Sequence, residues 1–245
     1  MQTFHSVFNQ NRALFEFIVI DGASTDGSIQ IINDYKPSID QVIIEADAGI
    51  YDAMNKGIQL ASGKYLWFLN SGDCFYSDDT LEICSEEISN HPNFDVYYGN
   101  VKVNYGDSYS RVKENGSLAK MWKKLPFSHQ AVFCLTDNYK NSPFELKYSI
   151  IADQVFFYKL WLKKRKFKPL DSILAQIEPG GTSEHYPKKV RNQKLNMLNE
   201  THTLSFTKQL SINTEYFIRT IIRGLKRRMP SSLTQLLTRL KYYKR

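Results

Sequence analysis

Three short apolar runs in this 245-residue sequence each break into small, polar residues that carry a carboxylate: Asp21, then Glu45 or Asp47, then Asp73. In open α/β sheets ligands bind just beyond the carboxyl ends of the strands. A carboxylate placed there is a hard oxygen ligand, suited to Mg²⁺ or Mn²⁺ carrying a phosphorylated substrate. Taken singly, Asp73 reads better as a polar turn capping the next helix. The convergence of three strand ends favours a site, because clustered carboxylates repel one another unless a cation or ligand groups bind among them. Further along, His129 and Gln130 stand just before another apolar run, and Asp153 falls in the first turn of a predicted helix. A favourable charge at the positive end of the helix dipole accounts for Asp153 better than a chemical role does on this pattern alone.

The elements that must position these residues follow from periodicity. Residues 1–15 read as a helix ending in a loop, with Phe4, Val7 and Phe8 as its apolar stripe. Residues 15–20 are the first strand, and Ser24, Thr25 or Asp26 can cap a following helix built on Ile29, Ile31 and Ile32. A second strand, 41–44, leads to a helix over 50–61 with Ile50, Met54, Ile58 and Ala61 on one face and Asp52 and Lys56 on its polar side. The run Tyr65–Leu69 predicts a strand buried on both faces of a parallel sheet. A helix over 79–90 and a strand or two over 96–103 come next, and the polar stretch 106–125 reads as a mobile loop over the site. No G-x-G-x-x-G or G-K-[ST] pattern follows the first strand, which removes support for dinucleotide and P-loop sites.

Composition bounds the class. Hydrophobic residues make up 42% and aromatics 13%, enough for an ordinary globular core, and the three cysteines form no metal-ligand pattern. The net charge of +7 is uneven: residues 188–245 hold 14 Lys/Arg against 2 Asp/Glu, and residues 1–187 hold 18 against 23. The basic character belongs to the tail. No apolar run approaches the roughly 18 to 20 residues that span a bilayer, and the start lacks the layout of a signal peptide, so a cytoplasmic location is expected.

The succession F-E-F-I-V-I-D21-G-A-S-T-D26-G, D47-A-G-I-Y-D52-A-M-N-K56-G and G63-K-Y-L-W-F-L-N-S-G-D73 resembles the family 2 inverting glycosyltransferases of GT-A fold, nearest to those that build colanic acid, capsule and O-antigen. The resemblance implies a Rossmann-like, mostly parallel sheet flanked by helices, and a transfer from a nucleotide-diphosphate sugar to a glycan or polyprenyl-linked acceptor. It implies that Asp21, Asp26, Asp47 and Lys56 line the nucleotide and donor. Asn70-Ser71-Gly72-Asp73 stands where the family has its metal motif, with Ser71 on the donor side at the first acidic position and Asp73 as the ligand of Mn²⁺ or Mg²⁺. His129 and Gln130 fall on the acceptor side, and Asp153, in Ile-Ala-Asp-Gln, matches the acceptor-side base. Gly180-Gly181-Thr-Ser matches the turn before the last helix, and His185 is a second metal candidate beside its reading as an exposed histidine.

Two departures accompany the resemblance. Gly22 stands where many members carry a second, base-reading aspartate, and the strand that usually opens the domain would precede residue 1. The expected domains are a catalytic one over 1–187, short at its N-terminus, and a basic helical region over 188–245. In the latter, Phe217, Ile218, Ile221, Ile222 and Leu225 share one helical face and Arg219, Arg223, Lys226 and Arg227 the other, repeated by Leu233, Leu236, Leu237 and Leu240. Such a helix lies on an anionic membrane surface or packs on the catalytic domain. No nucleic-acid module is present. The competing reading is a non-catalytic relative that holds a sugar nucleotide or a partner; retention of Asp73 and Asp153 weighs against it.

Overall fold

The computed structural model describes residues 1–106, 109–180 and 185–228, with side chains to residue 225. It divides into two compact units, Met1–Gly180 and Gly181–Arg245. In the first, strands β1 (Ile18–Asp21) and β2 (Gln41–Ile44) pair in parallel and bring Asp21 opposite Ile44. Helix α1 (Gln2–Phe8) turns its aromatic stripe onto the lead-in to β1 and onto Tyr35: Phe4 meets Phe17 at 5.4 Å and Tyr35 at 5.7 Å between ring centroids. Helix α1 is shorter than the pattern predicts, since Asn9 ends it and residues 12–14 form a separate 3-10 turn. Helices α2 (Ser28–Tyr35) and α3 (Ile50–Leu60) follow β1 and β2, each after a glycine in a conformation that side chains avoid, Gly27 at φ 93° and Gly49 at φ 116°.

The larger sheet has six strands. β3 (Tyr65–Trp67), β7 (Val132–Leu135), β5 (Val96–Asn104), β8 (Phe167–Ile177) and β4 (Cys74–Phe75) lie in that order, and β6 (Ser110–Lys113) adds to β5. Only β5 and β8 run parallel in this sheet; β3–β7, β7–β5, β5–β6 and β8–β4 are antiparallel. β3 is therefore not the central parallel strand its apolar run predicts. It ends the hydrogen-bonded order, pairs Leu66 with Cys134, and leaves the strand at Phe68, so its residues are only half-buried. The strand ends carrying Asp21 and Asp73 accordingly belong to different sheets.

Aromatic stacking fills the core of this sheet: Tyr97 stacks on Phe133 at 5.0 Å, and Tyr65 and Trp67 pack edgewise or face-on against the same ring. β5 and β8 approach closely where the ladder slips at Gly99; a Cβ there would press on Leu174 and come within 2.8 Å of the Ser172 carbonyl oxygen. Helix α4 (Thr80–Asn90) lies where predicted, and its Cys84 joins the core. The stretch 106–125 is not a plain loop, because β6 and a 3-10 turn at Leu118–Lys120 occupy part of it. Two elements unmarked by the sequence pattern, α5 (Thr136–Asn141) and β8, complete the unit with α6 (Ala152–Leu162). α6 is apolar on nearly every side and is correspondingly enclosed, with Tyr139 stacked on its Phe156 at 4.3 Å.

The second unit contains α7 (Pro187–Glu200) and α8 (Phe206–Arg228). Met197, Leu198 and Ile212 are buried in it, and Arg191 donates to Asn213 at 2.8 Å and lies over the Tyr216 ring. No helix among the described residues is long and apolar enough to cross a membrane. The predicted leucine repeat beyond residue 229 lies outside the described residues, as do Gly181, Thr182 and Ser183 of the predicted turn.

Candidate active site

A continuous line of polar contacts runs from α3 to the end of β3. It begins at Tyr51, whose hydroxyl donates to Asp153 Oδ1 at 2.8 Å and is also 3.1 Å from the Ile150 carbonyl. The other Asp153 oxygen lies 3.4 Å from His129 Nδ1. His129 Nε2 in turn is 3.0 Å from Asn70 Nδ2. With the amide donating to Nε2, the ring must carry its proton on Nδ1 and direct it at Asp153, so one tautomer satisfies both contacts. The side chains of Asn70 and Gln130 then stand beside the carboxylate of Asp73, where they act to lower its pKa. Gln130 is oriented from behind: its Oε1 accepts from Ser128 Oγ at 3.1 Å, which leaves its NH₂ for Asp73, and its carbonyl accepts from Trp67 Nε1 at 2.8 Å.

The two acids on this line are shifted in opposite directions. Burial raises the Asp73 carboxyl above its ordinary range, and the Gln130 amide, His129 and Asn70 only partly offset that. At Asp153 burial acts in the same direction, but His129 and the Tyr51 hydroxyl outweigh it and hold the carboxyl below the usual value. Burial and the Asp153 charge together keep Tyr51 protonated. Asp153 is thus an ionised acceptor of protons with 17% of its side chain open to solvent. A cap for α6 would need neither side-chain partner.

Asp73 closes a turn in which its N–H donates to the Asn70 carbonyl at 3.0 Å and Gly72 takes φ 93°. Ser71 is exposed at the corner, and the Gly72 N–H is fixed by Thr3 Oγ1 at 3.0 Å. A divalent cation fits this carboxylate. It is a buried hard oxygen donor with no cationic side chain at ion-pair distance among the described residues, and Mg²⁺ and Mn²⁺ on a diphosphate need only one or two protein carboxylates, the rest being phosphate and water. No trio of His, Cys, Asp or Glu among the described residues is placed to hold a metal alone. The expected gathering of Asp21, Asp47 and Asp73 does not appear as such a trio among the described residues; β3 is hydrogen-bonded to β7, not to β1 or β2. His185 lies in the second unit, exposed, where its carbonyl accepts from Arg223 at 3.3 Å.

The remaining predicted residues line the loops after β1 and β2. Asp21 is buried and accepts the Ser24 N–H at 2.7 Å; exposed Asp26 accepts both the N–H and the hydroxyl of Ser28, which lowers its pKa. Asp47 accepts the Gly49 N–H at 2.8 Å and packs so closely on Gly22 that a Cβ there would collide with its carboxylate. Gly22 is therefore the residue that lets the two loops meet. Lys56 is tied to Glu45 at 2.9 Å and to the Ala46 carbonyl at 3.0 Å, and the Glu45 hydrogen bond raises its pKa.

Tyr51 and Asn55 are the residues that sequence reasoning missed. Asn55 donates to the Phe144 carbonyl and accepts the Phe144 N–H, each at 2.9 Å. The signal was present in I-Y-D-A-M-N-K-G: Tyr51 and Asn55 are one i, i+4 pair and Asp52 and Lys56 the next, so α3 carries two polar stripes. One braces the loop after β2, and the other reaches Asp153 and the segment before α6.

Residues 1–173 match the family model described as Glycosyl transferase family 2. A PGL/p-HBAD biosynthesis glycosyltransferase of Mycobacterium bovis is 32% identical over 160 residues, covering 62% of this chain and 60% of that protein. The chain thus spans 60% of the length of that curated relative. Among solved structures, S. aureus TarS 1-349 in complex with UDP aligns at a TM-score of 0.65 and 20% identity, covering 94% of this chain and 71% of the other. The mannosyltransferase PcManGT of Pyrobaculum calidifontis, in complex with GDP-Man and Mn²⁺, aligns at 0.63 and 12% identity over 98% of this chain and 74% of the other. These likenesses establish the GT-A fold.

Proposed function

As the chain belongs to glycosyl transferase family 2, we propose that it moves a sugar from a nucleotide-diphosphate sugar to a hydroxyl of a glycan or lipid-linked acceptor, with inversion, in the assembly of a surface polysaccharide. The observation that carries this reading is the Tyr51–Asp153–His129–Asn70–Asp73 line. It joins an ionised base to a buried carboxylate of the kind a diphosphate-borne cation uses. Asp153 takes the proton of the acceptor hydroxyl as that oxygen bonds the anomeric carbon. The bond from that carbon to the diphosphate breaks on the opposite face, and its electron pair leaves with the nucleotide. His129 and Tyr51 hold Asp153 in place and ionised. Asp73 would hold Mn²⁺ or Mg²⁺, which when bound offsets the charge of the departing diphosphate. The loops of Asp21 and Asp47 border the nucleotide.

Relatives support the donor class: TarS is described with UDP and PcManGT with GDP-Man and Mn²⁺. Calorimetric titration with UDP-, GDP- and dTDP-sugars, with and without Mn²⁺, tests the reading. Metal-dependent binding of one donor is expected; no binding of any donor in either condition would overturn it and favour a non-catalytic relative.

We further take residues 1–187 as the catalytic domain and 188–245 as a region that docks on the inner face of the cell membrane. α8 exposes Phe217, Ile218, Ile221, Ile222 and Leu225 beside Arg219 and Arg223. Exposed apolar rows flanked by cations bind anionic lipid; Lys226 and Arg227 belong to the same pattern, although their side chains lie outside the described ones. Co-sedimentation with vesicles containing phosphatidylglycerol should be lost on deleting 214–245. Equal pelleting of the deletion variant would refute the assignment.

A further inference from the structure

Beside this line of contacts stand two cations without a counter-ion among the described residues. β5 gives one edge to β8 and the other to both β6 and β7. On that shared edge Lys113, the last residue of β6, pairs with Val101, and Val132, the first of β7, pairs with Tyr98. Three residues of β5 span about 10 Å, so Lys113 ends a short step from the turn that carries His129 and Gln130. The segment between them, 114–128, is closed on itself by the Gly116 N–H to Pro126 carbonyl bond at 2.7 Å. It is fastened to the first turn of α6 by Gln154 Nε2, which donates to the Met121 carbonyl at 2.8 Å. Lys124 rides on that segment.

Lys113 is half-buried, and neither its ammonium nor that of Lys124 has a hydrogen-bond or ion-pair partner among the described residues. Burial and repulsion from Lys124 push Lys113 down to about 8, with attraction from Asp153 only partly opposing them. The ammonium therefore stands in the field of the base without reaching it. Two like charges brought together in a partly dry site are unfavourable until an anion joins them.

We propose that Lys113 and Lys124 form an anion subsite on the Asp153 side of the active site, which takes a phosphate group carried by the acceptor. The subsite rests on the glycosyltransferase reading for the word acceptor; the same cations could instead meet the donor diphosphate. The placement favours the acceptor: both lysines are tied by strand register and by Gln154 to the elements that present the base, whereas the predicted nucleotide residues sit on the loops after β1 and β2.

Inorganic phosphate titrated into the full chain, already saturated with Mn²⁺ and with whichever of UDP or GDP binds it, separates the two sources. Binding to the loaded wild type is expected, weakened about tenfold in Lys113→Gln or Lys124→Gln, the loss of one charge-assisted hydrogen bond. Lys113→Arg should retain binding, and nucleotide affinity should not move in any variant. Lys124 is exposed, so its variant keeps the test open should Lys113→Gln fail to fold. Phosphate excluded by the nucleotide, nucleotide affinity falling in step in the variants, or no phosphate bound at all would each overturn the acceptor subsite. Failure of the glycosyltransferase reading shows differently, as a wild type that binds no nucleotide. Phosphate titrated into that free chain then decides whether the lysine pair is an anion site.

Discussion

Asp153→Asn is expected to lower turnover by about 10²–10⁴, the range that a positioned general base contributes, while leaving metal-dependent nucleotide binding unchanged. The substitution keeps the shape of the side chain and an oxygen for the Tyr51 hydroxyl, which donates at 2.8 Å. It removes the charge that takes the acceptor proton and the carboxylate oxygen that faces His129 Nδ1. Wild-type turnover in a rapid-quench assay would sink the assignment of the base, and a parallel loss of nucleotide affinity would move Asp153 to the donor side. His129→Ala gives the matching pH test. His129 and Tyr51 hold the Asp153 carboxyl low against burial. Removing His129 leaves burial less opposed, so that carboxyl rises and the acid limb of kcat/KM moves to higher pH. An unmoved limb would show that His129 has no hold on the base.

How much of this site was legible depended on whether its residues are joined through local or distant elements. β2 and α3 were readable to within a residue, because a four-residue apolar run and a one-face stripe at helical spacing are local patterns. The strand-end carboxylates were readable for the same reason, and Asp73 and Asp153 do prove to share a line of contacts. What joins them was not readable. Tyr65–Trp67 has the composition of a central parallel strand, yet it pairs antiparallel with β7, whose sequence is more than sixty residues away. That pairing brings His129 beside Asn70. β8 escaped notice because Pro169 and Asp171 interrupt its apolar run, and it is tolerated as an internal strand only because the ladder slips at Gly99. Lys113 lies in a polar stretch with no periodicity to mark it; only the register of β6 on β5 places it near the base.

Asp73→Asn should act in opposite directions on binding and on stability, and that opposition is its test. With the charge gone, donor affinity in Mn²⁺ is expected to fall about 100-fold or more, the upper end of what loss of even an outer partner of a metal ligand costs. Stability of the metal-free chain should rise. Burial lifts the Asp73 carboxyl in the folded state above its ordinary value. Over the interval between those two values the folded chain holds a proton that the unfolded chain has released, so stability falls as pH climbs through it. Above both values the whole of that loss is present. The amide put in place of the carboxyl cannot ionise, so the metal-free variant should melt higher than wild type at pH 7 and the difference should vanish below the ordinary carboxylate range. Metal binding reverses the sign in wild type, since only the ionised carboxylate is a ligand, and the same proton competes with Mn²⁺ as pH falls. Differential scanning fluorimetry with and without Mn²⁺ and nucleotide reads both effects together. A variant that still binds donor only with Mn²⁺, or that melts lower than wild type without metal, would remove Asp73 from the role assigned to it.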